Sequence, residues 1–297
     1  MAFDGEVTVA AVQAAPVFLD RDATIDVLIG HITEAATKGA QLVVFPEAIL
    51  PGYPAWIWQK PGWSDATLFD RLYDQAVDIP GPATDMLGAA AREANVWVAV
   101  GVTERVRSGS LYNTLLYVSP DGTVAGAHRK LLATGPERTV WGHGDGSTLT
   151  VVDTDFGRIG GLTCWENLMP LARVAIYQQG VEIYLAPTWD HRDVWLATLR
   201  HIAYEGRVFV IGTNTCLRGS DVPDSLEDGQ QLRDTEWLSQ GNTAIVGPMG
   251  DVIAGPLLGE PGMLVARLDM RQLRWARREF DGLGHYGRPD VFEFAVR

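Results

Sequence analysis

Apolar and polar positions fall into blocks whose period changes along the chain. Val7–Val12 is a short run, apolar but for Thr8, the pattern of a strand covered on both faces. In Arg21–Lys38, Ile25, Leu28, Ile32, Ala35 and Ala36 recur at helical spacing, which predicts an amphipathic helix stopped by Gly39. "QLVVFPE" (41–47) predicts a second buried strand, ended by Pro46. A long connection follows, carrying Tyr53, Trp56, Trp58 and Trp63 among prolines and glycines. Helices are predicted near 65–76 and 83–95, leading into a strand over Val96–Thr103. "LYNTLLYVSPDGTVAGAHRK" (111–130) predicts two strands about a Pro-Asp-Gly turn, and "STLTVVDTDFGRIGGLTC" (147–164) repeats the pattern about Asp155-Phe156-Gly157. The remainder predicts a helix near 167–179, a strand over Glu182–Ala186, a helix near 193–206 and a strand over Val208–Asn214. A polar loop (218–240), a hairpin about "GPMGD" and a short tail complete it.

Strands alternating with helices, mixed with hairpins, predict an α/β layered sandwich with a mixed sheet. No Pro/Ser-rich linker or shift of composition divides the chain, so residues 1–297 are expected to form one domain, with a tail from about 280 to 297. Charge narrows the partners. The formal net charge is −13 and no basic run offsets it, which argues against nucleic acid and anionic membrane surfaces. Apolar runs such as "VWVAVGV" (96–102) have strand length, and the N-terminus has neither a basic region nor an apolar one of the secretory kind. Two cysteines, Cys164 and Cys216, are too few for a disulfide framework and fit a reducing compartment, so the cytoplasm is expected. The six histidines lack metal-ligand spacing, and neither "GHGDGS" nor "GRIGG" forms a dinucleotide fingerprint, so no metal or cofactor is expected.

Candidate chemistry gathers at strand ends. Cys164, in "GLTCWENLMP" (161–170), stands at a strand-to-helix junction, where free backbone N–H groups and a helix dipole would lower a thiol pKa. The competing reading is a small buried apolar residue, which free cysteines usually are. Glu47 follows an apolar strand at its C-terminal end, where α/β sheets place ligands, although a solvated carboxylate fits too. Lys130 ends another strand, with Glu137 seven residues on; a surface lysine is the ordinary alternative. Glu166 fits a helix N-terminus, Cys216 a structural thiol and Asn113 a structural role.

The order "FPE", "HRK", "CWEN" resembles the nitrilase superfamily of carbon–nitrogen hydrolases, from "VAAVQAAP" through "GHYGRPDVF". "CWENLMPLAR" and "GHYGRPDVF" are similar to its nitrilase branch, and "ATGPERTVWGHGDGS" to the stretch that carries a second glutamate, here Glu137. The resemblance implies an α-β-β-α sandwich with mixed sheets. It makes Cys164 the nucleophile, Glu47 the base, Lys130 and the Trp165 N–H the stabilisers of negative charge, and Glu137 a group that orients Lys130 or the reacting groups. Trp165, Tyr53, Trp56 and Trp189 are expected to line the substrate pocket. The implied reaction converts an organic nitrile to the carboxylic acid and ammonia. Amide hydrolysis or the hydration of cyanide or a nitrile by the same residues, or a non-catalytic filament-forming relative, are the alternatives. The implied partners are a small-molecule nitrile and further copies of the chain, as a homodimer or a larger, spiral homo-oligomer. Two departures stand out: Ala133 replaces a proline common before the threonine, and the chain stops soon after Phe294.

Overall fold

The computed structural model describes residues 4–60, 62 and 64–297, so Trp63 lies outside the described residues. The first half of the chain comprises β1 (Glu6–Gln13), α1 (Arg21–Thr37), β2 (Leu42–Val44), α2 (Ala66–Gln75), α3 (Pro82–Ala94), β3 (Trp97–Arg105), β4 (Leu111–Val118) and β5 (Val124–Arg129). Then come β6 (Val151–Thr154), β7 (Gly157–Gly161), α4 (Pro170–Gln178), β8 (Ile183–Leu185), α5 (Asp193–Gly206), β9 (Phe209–Gly212) and β10 (Cys216–Arg218). The chain ends with α6 (Gln230–Arg233), β11 (Trp237–Val246), β12 (Val252–Leu258), β13 (Gly262–Asp269) and α7 (Arg271–Glu279).

β1 is mainly apolar between Val7 and Val12, because both of its faces are buried there. Ala10 and Val12 pack with Ile25, Leu28 and Ile32 of α1 and Leu87 and Ala91 of α3. Val7, Val9 and Ala11 face the other way, against Ile159, Ile183, Leu185, Phe209 and Ile211 of a second sheet. A third core joins that sheet to α4 and α5 through Ile176, Trp195, Leu199, Ile202, Tyr184 and Val210. The layers therefore run helix, sheet, sheet, helix, as the resemblance implies. Full burial of each such Ile or Leu contributes roughly 1.5–3 kcal/mol, which makes these cores the main force holding the layers together.

The first sheet has the order β13-β1-β2-β3-β4-β5, and the second β10-β11-β9-β8-β7-β6 with β12 beside β11. β1, β2 and β3 are parallel, as are β7, β8 and β9, while the remaining ladders are antiparallel. α1 opens where Asp20 accepts the Ala23 N–H at 3.0 Å and closes before Gly39, whose φ is +80°.

The pattern misses two elements near the C-terminus. β13 pairs with β1 over eight residues, from Glu6↔Asp269 to Gln13↔Gly262, and α7 follows it. Only Leu273 and Ala276 of α7 are buried, so "RQLRWARRE" reads as a charged tail rather than a packed helix. The expected polar loop 218–240 also contains α6 and the start of β11. The predicted strand 41–47 shrinks to three residues, since Pro46 cannot donate to a ladder. Past it the chain stays against β3, with Gly101 N–H bonded to Pro46 O at 3.2 Å. Gly101 has no room for a side chain, because an added Cβ would lie 2.7 Å from Glu47 Cα and still closer to the backbone of Pro46 and Ala48. That glycine lets Glu47 approach the sheet.

Candidate active site

The expected nucleophile, base and cation each follow the C-terminal end of a strand: Glu47 after β2, Lys130 after β5 and Cys164 after β7. The fold brings all three together. Lys130 Nζ donates to Glu47 Oε1 at 2.9 Å and to Glu137 Oε2 at 2.8 Å, and all three side chains are buried. Asn113 Nδ2 donates to Glu47 Oε1 at 2.7 Å, so Asn113 belongs to the site rather than to the scaffold. Glu137 also accepts the Thr134 N–H (2.7 Å) and the Tyr53 hydroxyl (2.8 Å). Glu47 Oε2, by contrast, has no hydrogen-bond partner among the described residues. A buried carboxylate oxygen left open is costly unless it serves a passing proton or a ligand.

Cys164 is held in an unusual backbone conformation. Its φ is +53°, a region sparsely occupied by non-glycine residues and commonly associated with functional sites. Its N–H is bonded to Pro187 O at 2.8 Å, and its carbonyl accepts Asn167 Nδ2 at 2.9 Å. Thr188, three residues past β8, donates its hydroxyl to Cys164 Sγ at 3.1 Å. The sequence reading missed Thr188, although its place at a strand end was the signal that marked the others.

The expectation of a thiol acidified by a helix dipole needs correction. Cys164 opens a five-residue 3-10 turn (Cys164–Leu168), and α4 begins only at Pro170. Burial pushes its thiol well up, and the charge of Glu47 adds to this; Lys130 and the Thr188 hydroxyl oppose it without prevailing. Burial also raises the Glu47 carboxyl, against the pull of Lys130. For Lys130, burial works to lower the pKa, but the charges of Glu47 and Glu137 outweigh it and hold the ammonium above the usual lysine range.

The cysteine opens on to a cleft of about 410 Å³ whose walls include Tyr53, Trp58, Glu137, Trp165 and Trp189. Tyr53 and Trp189 are stacked, with centroids 4.4 Å apart and planes 8° from parallel. Trp165 donates its indole N–H to Asp190 at 2.8 Å, with the Arg192 guanidinium over its ring at 5.1 Å. Trp56 is not a wall of this cleft, contrary to expectation. It is fully buried, edge-on to Phe18, with its indole N–H bonded to Asp65 at 2.6 Å. Trp58, two residues on in the same aromatic segment, does line the cleft. Glu166 does accept the Thr163 N–H (2.8 Å) at the start of the turn, but it also reaches His128 and the Leu131 N–H. Ala133 leaves the Glu137 turn intact, its carbonyl accepting Arg138 Nε at 3.0 Å. Cys216 starts β10 and lies outside the cleft.

Comparison with known proteins agrees with this geometry. Residues 8–278 match the family model described as carbon-nitrogen hydrolase. The chain is 46% identical over 294 residues to an aliphatic nitrilase of Sinorhizobium fredii, covering 97% of this chain and 94% of that one. It is 41% identical over 300 residues to a bifunctional nitrilase/nitrile hydratase of Nicotiana tabacum, covering 98% and 86%. Among solved structures, a carbon-nitrogen hydrolase from Helicobacter pylori has the same fold, with a TM-score of 0.77 at 20% identity over 97% of both chains.

Proposed function

The chain belongs to the carbon–nitrogen hydrolase family, and from that premise we propose that it is a nitrilase, hydrolysing an organic nitrile to the carboxylic acid and ammonia. The observation that carries the mechanism is the buried Lys130 ammonium between Glu47 and Glu137, beside a cysteine that opens on to an aromatic cleft. A nitrile carbon is a weak electrophile and calls for a soft, strong nucleophile. Cys164 is neutral at rest, so its proton must leave as sulfur attacks; Glu47, with one oxygen unpartnered, receives it. The C–S bond forms, one π pair moves to nitrogen, and the proton on Glu47 follows it to give a thioimidate. Water deprotonated by Glu47 then adds to the carbon. Lys130 and the Trp165 N–H, which has no acceptor among the described residues, face the developing negative charge. The C–N bond breaks with transfer of a proton, ammonia leaves, and a second water cleaves the thioester to release acid and thiol. Glu137 holds Lys130 in line throughout.

A nitrile is linear and an amide planar with two N–H donors. Tyr53, Trp58, Trp165, Trp189 and Trp237 give the cleft flat apolar walls, which fit the first better. The matched amide is expected to be a poor substrate, with acid and ammonia the main products of the nitrile. Chromatography of products from paired nitrile and amide substrates checks this. Faster turnover of the amide would move the assignment to amide hydrolysis.

The protein is also assigned to the cytoplasm, on the strength of two free cysteines, and to a homo-oligomer. No helix among the described residues is long and apolar enough to cross a membrane. Leu168, Leu171 and Val194 are exposed on the turn and helices that follow Cys164, which supports burial of that layer by a second copy. Sedimentation velocity is expected to give a dimer or larger species, and a fully active monomer would refute it.

A further inference from the structure

The mechanism above uses neither Glu166 nor His128, yet both side chains are fully buried and each lies two residues from a reacting group. Both carboxylate oxygens of Glu166 are 3.0 Å from His128 Nε2. Oε1 also accepts the Leu131 N–H at 2.7 Å, and Oε2 the Thr163 N–H at 2.8 Å. These donors come from two separate stretches of chain. Leu131 is the residue after Lys130, and Thr163 is the residue before Cys164. The imidazole is held from its far side as well, where Nδ1 lies 3.0 Å from the Thr148 carbonyl and 3.4 Å from the Thr148 hydroxyl. A carbonyl only accepts, and a carboxylate already receiving two backbone N–H groups is an acceptor too. The shortest contact of each ring nitrogen is thus to an acceptor, the Thr148 hydroxyl being farther off, so both nitrogens carry protons and the pair is an imidazolium against a carboxylate.

We propose that Glu166 is a positioning residue, which with His128 forms a buried ion pair that ties the peptide around Lys130 to the turn bearing Cys164. The pair fixes the lysine and the sulfur relative to one another. This rests on the nitrilase reading, because that reading names the nucleophile and the cation being positioned. A helix-capping role accounts for the Thr163 contact alone and leaves the contacts to His128 and Leu131 unexplained. Burying two charges carries a large desolvation cost, which charge-assisted hydrogen bonds on both oxygens offset. Burial alone would lower the His128 pKa, but the Glu166 carboxylate outweighs it and keeps the ring protonated above the usual histidine range. Displacement of a reacting group by about 1 Å can cost on the order of 10²-fold in rate, so a strut at this place acts on kcat more than on substrate affinity.

Steady-state kinetics of Glu166→Gln and Glu166→Asp test this, together with ¹⁵N NMR of the histidines in the unaltered protein. Turnover of a nitrile by the unaltered protein decides the nitrilase reading, and the ratio of variant to unaltered kcat decides the strut. Glu166→Gln puts an N–H₂ group against a donor and is expected to lower kcat about 10²-fold with KM nearly unchanged. Glu166→Asp keeps the charge on a shorter arm and is expected to recover part of that loss. A folded Glu166→Gln with unaltered kcat, or an Asp variant no better than Gln, would overturn the proposal. Should Glu166→Gln fail to fold, the NMR decides without substrate: both His128 nitrogens are expected to be protonated at the assay pH, and a neutral ring would refute the ion pair.

Discussion

Cys164→Ala is expected to remove nitrile hydrolysis completely while leaving the fold in place. No second thiol can substitute, because Cys216 starts β10 and does not line the cleft. Loss of the nucleophile from residues that act as a unit costs on the order of 10⁶ in kcat, which lowers turnover beyond ordinary detection. Stability should change little. The thiol is uncharged, its side-chain partner among the described residues is the Thr188 hydroxyl, and alanine is no worse suited to φ +53° than cysteine. A cost of about 1 kcal/mol, typical of single substitutions, is the expected scale. Activity assays and thermal unfolding on Cys164→Ala and Cys216→Ala check both halves. The second variant should retain most activity, and equal loss in the two would mean that the nucleophile is wrongly chosen.

The strand ends were legible before any coordinates because the chemistry sits where apolar runs stop. "LVVFPE", "AGAHRK" and "GRIGGLTC" each carry a reactive residue within three positions of a strand's last residue. The helices α1 and α5 were legible for a different reason: one face is apolar at helical spacing, and the cores against the sheets use that face. What stayed hidden depends on contacts between distant segments. Asn113 and Glu47 meet across 66 residues, and Thr188 reaches Cys164 across 24. Neither pairing leaves a local pattern. Trp56 and Trp58 show the limit most clearly. They stand two apart in one aromatic segment, yet one is buried against Phe18 and the other forms a wall of the cleft. Composition alone cannot tell them apart.

The acidity of the cysteine is a similar case. A junction between strand and helix suggested an acidified thiol, but the turn at Cys164 is a short 3-10 segment and the thiol is buried beside Glu47 and Glu137. Burial and Glu47 together keep the proton on sulfur, so activation is tied to substrate binding and attack rather than stored in the resting protein. That arrangement leaves the resting cysteine less open to oxidation than a standing thiolate would be.

The second large effect is expected at Lys130. Lys130→Met keeps much of the side chain's length and apolar stem but removes the charge between two buried carboxylates. Two losses follow. The negative charge that develops on the substrate loses its cation, worth about 10²–10³-fold. Glu47 loses as well, because the Lys130 charge is the main influence that lowers its pKa against burial. Without it burial shifts Glu47 further toward its protonated form, which cannot serve as a base, a role worth about 10²–10⁴-fold. The two losses overlap, so a fall of at least about 10³-fold in kcat is expected. Leaving buried charge uncompensated should also cost about 3–5 kcal/mol of stability. The sign of the pH effect follows. A carboxyl whose folded pKa is raised binds its proton in the folded state, so its contribution is present at low pH and is lost as pH rises through the raised value. The destabilisation of Lys130→Met should therefore shrink as the pH is lowered from 8 to 5. Denaturant titrations at the two pH values, beside the kinetics, measure this. A folded variant within tenfold of the unaltered kcat, or one whose stability deficit is the same at both pH values, would show that Lys130 does not act through the two carboxylates.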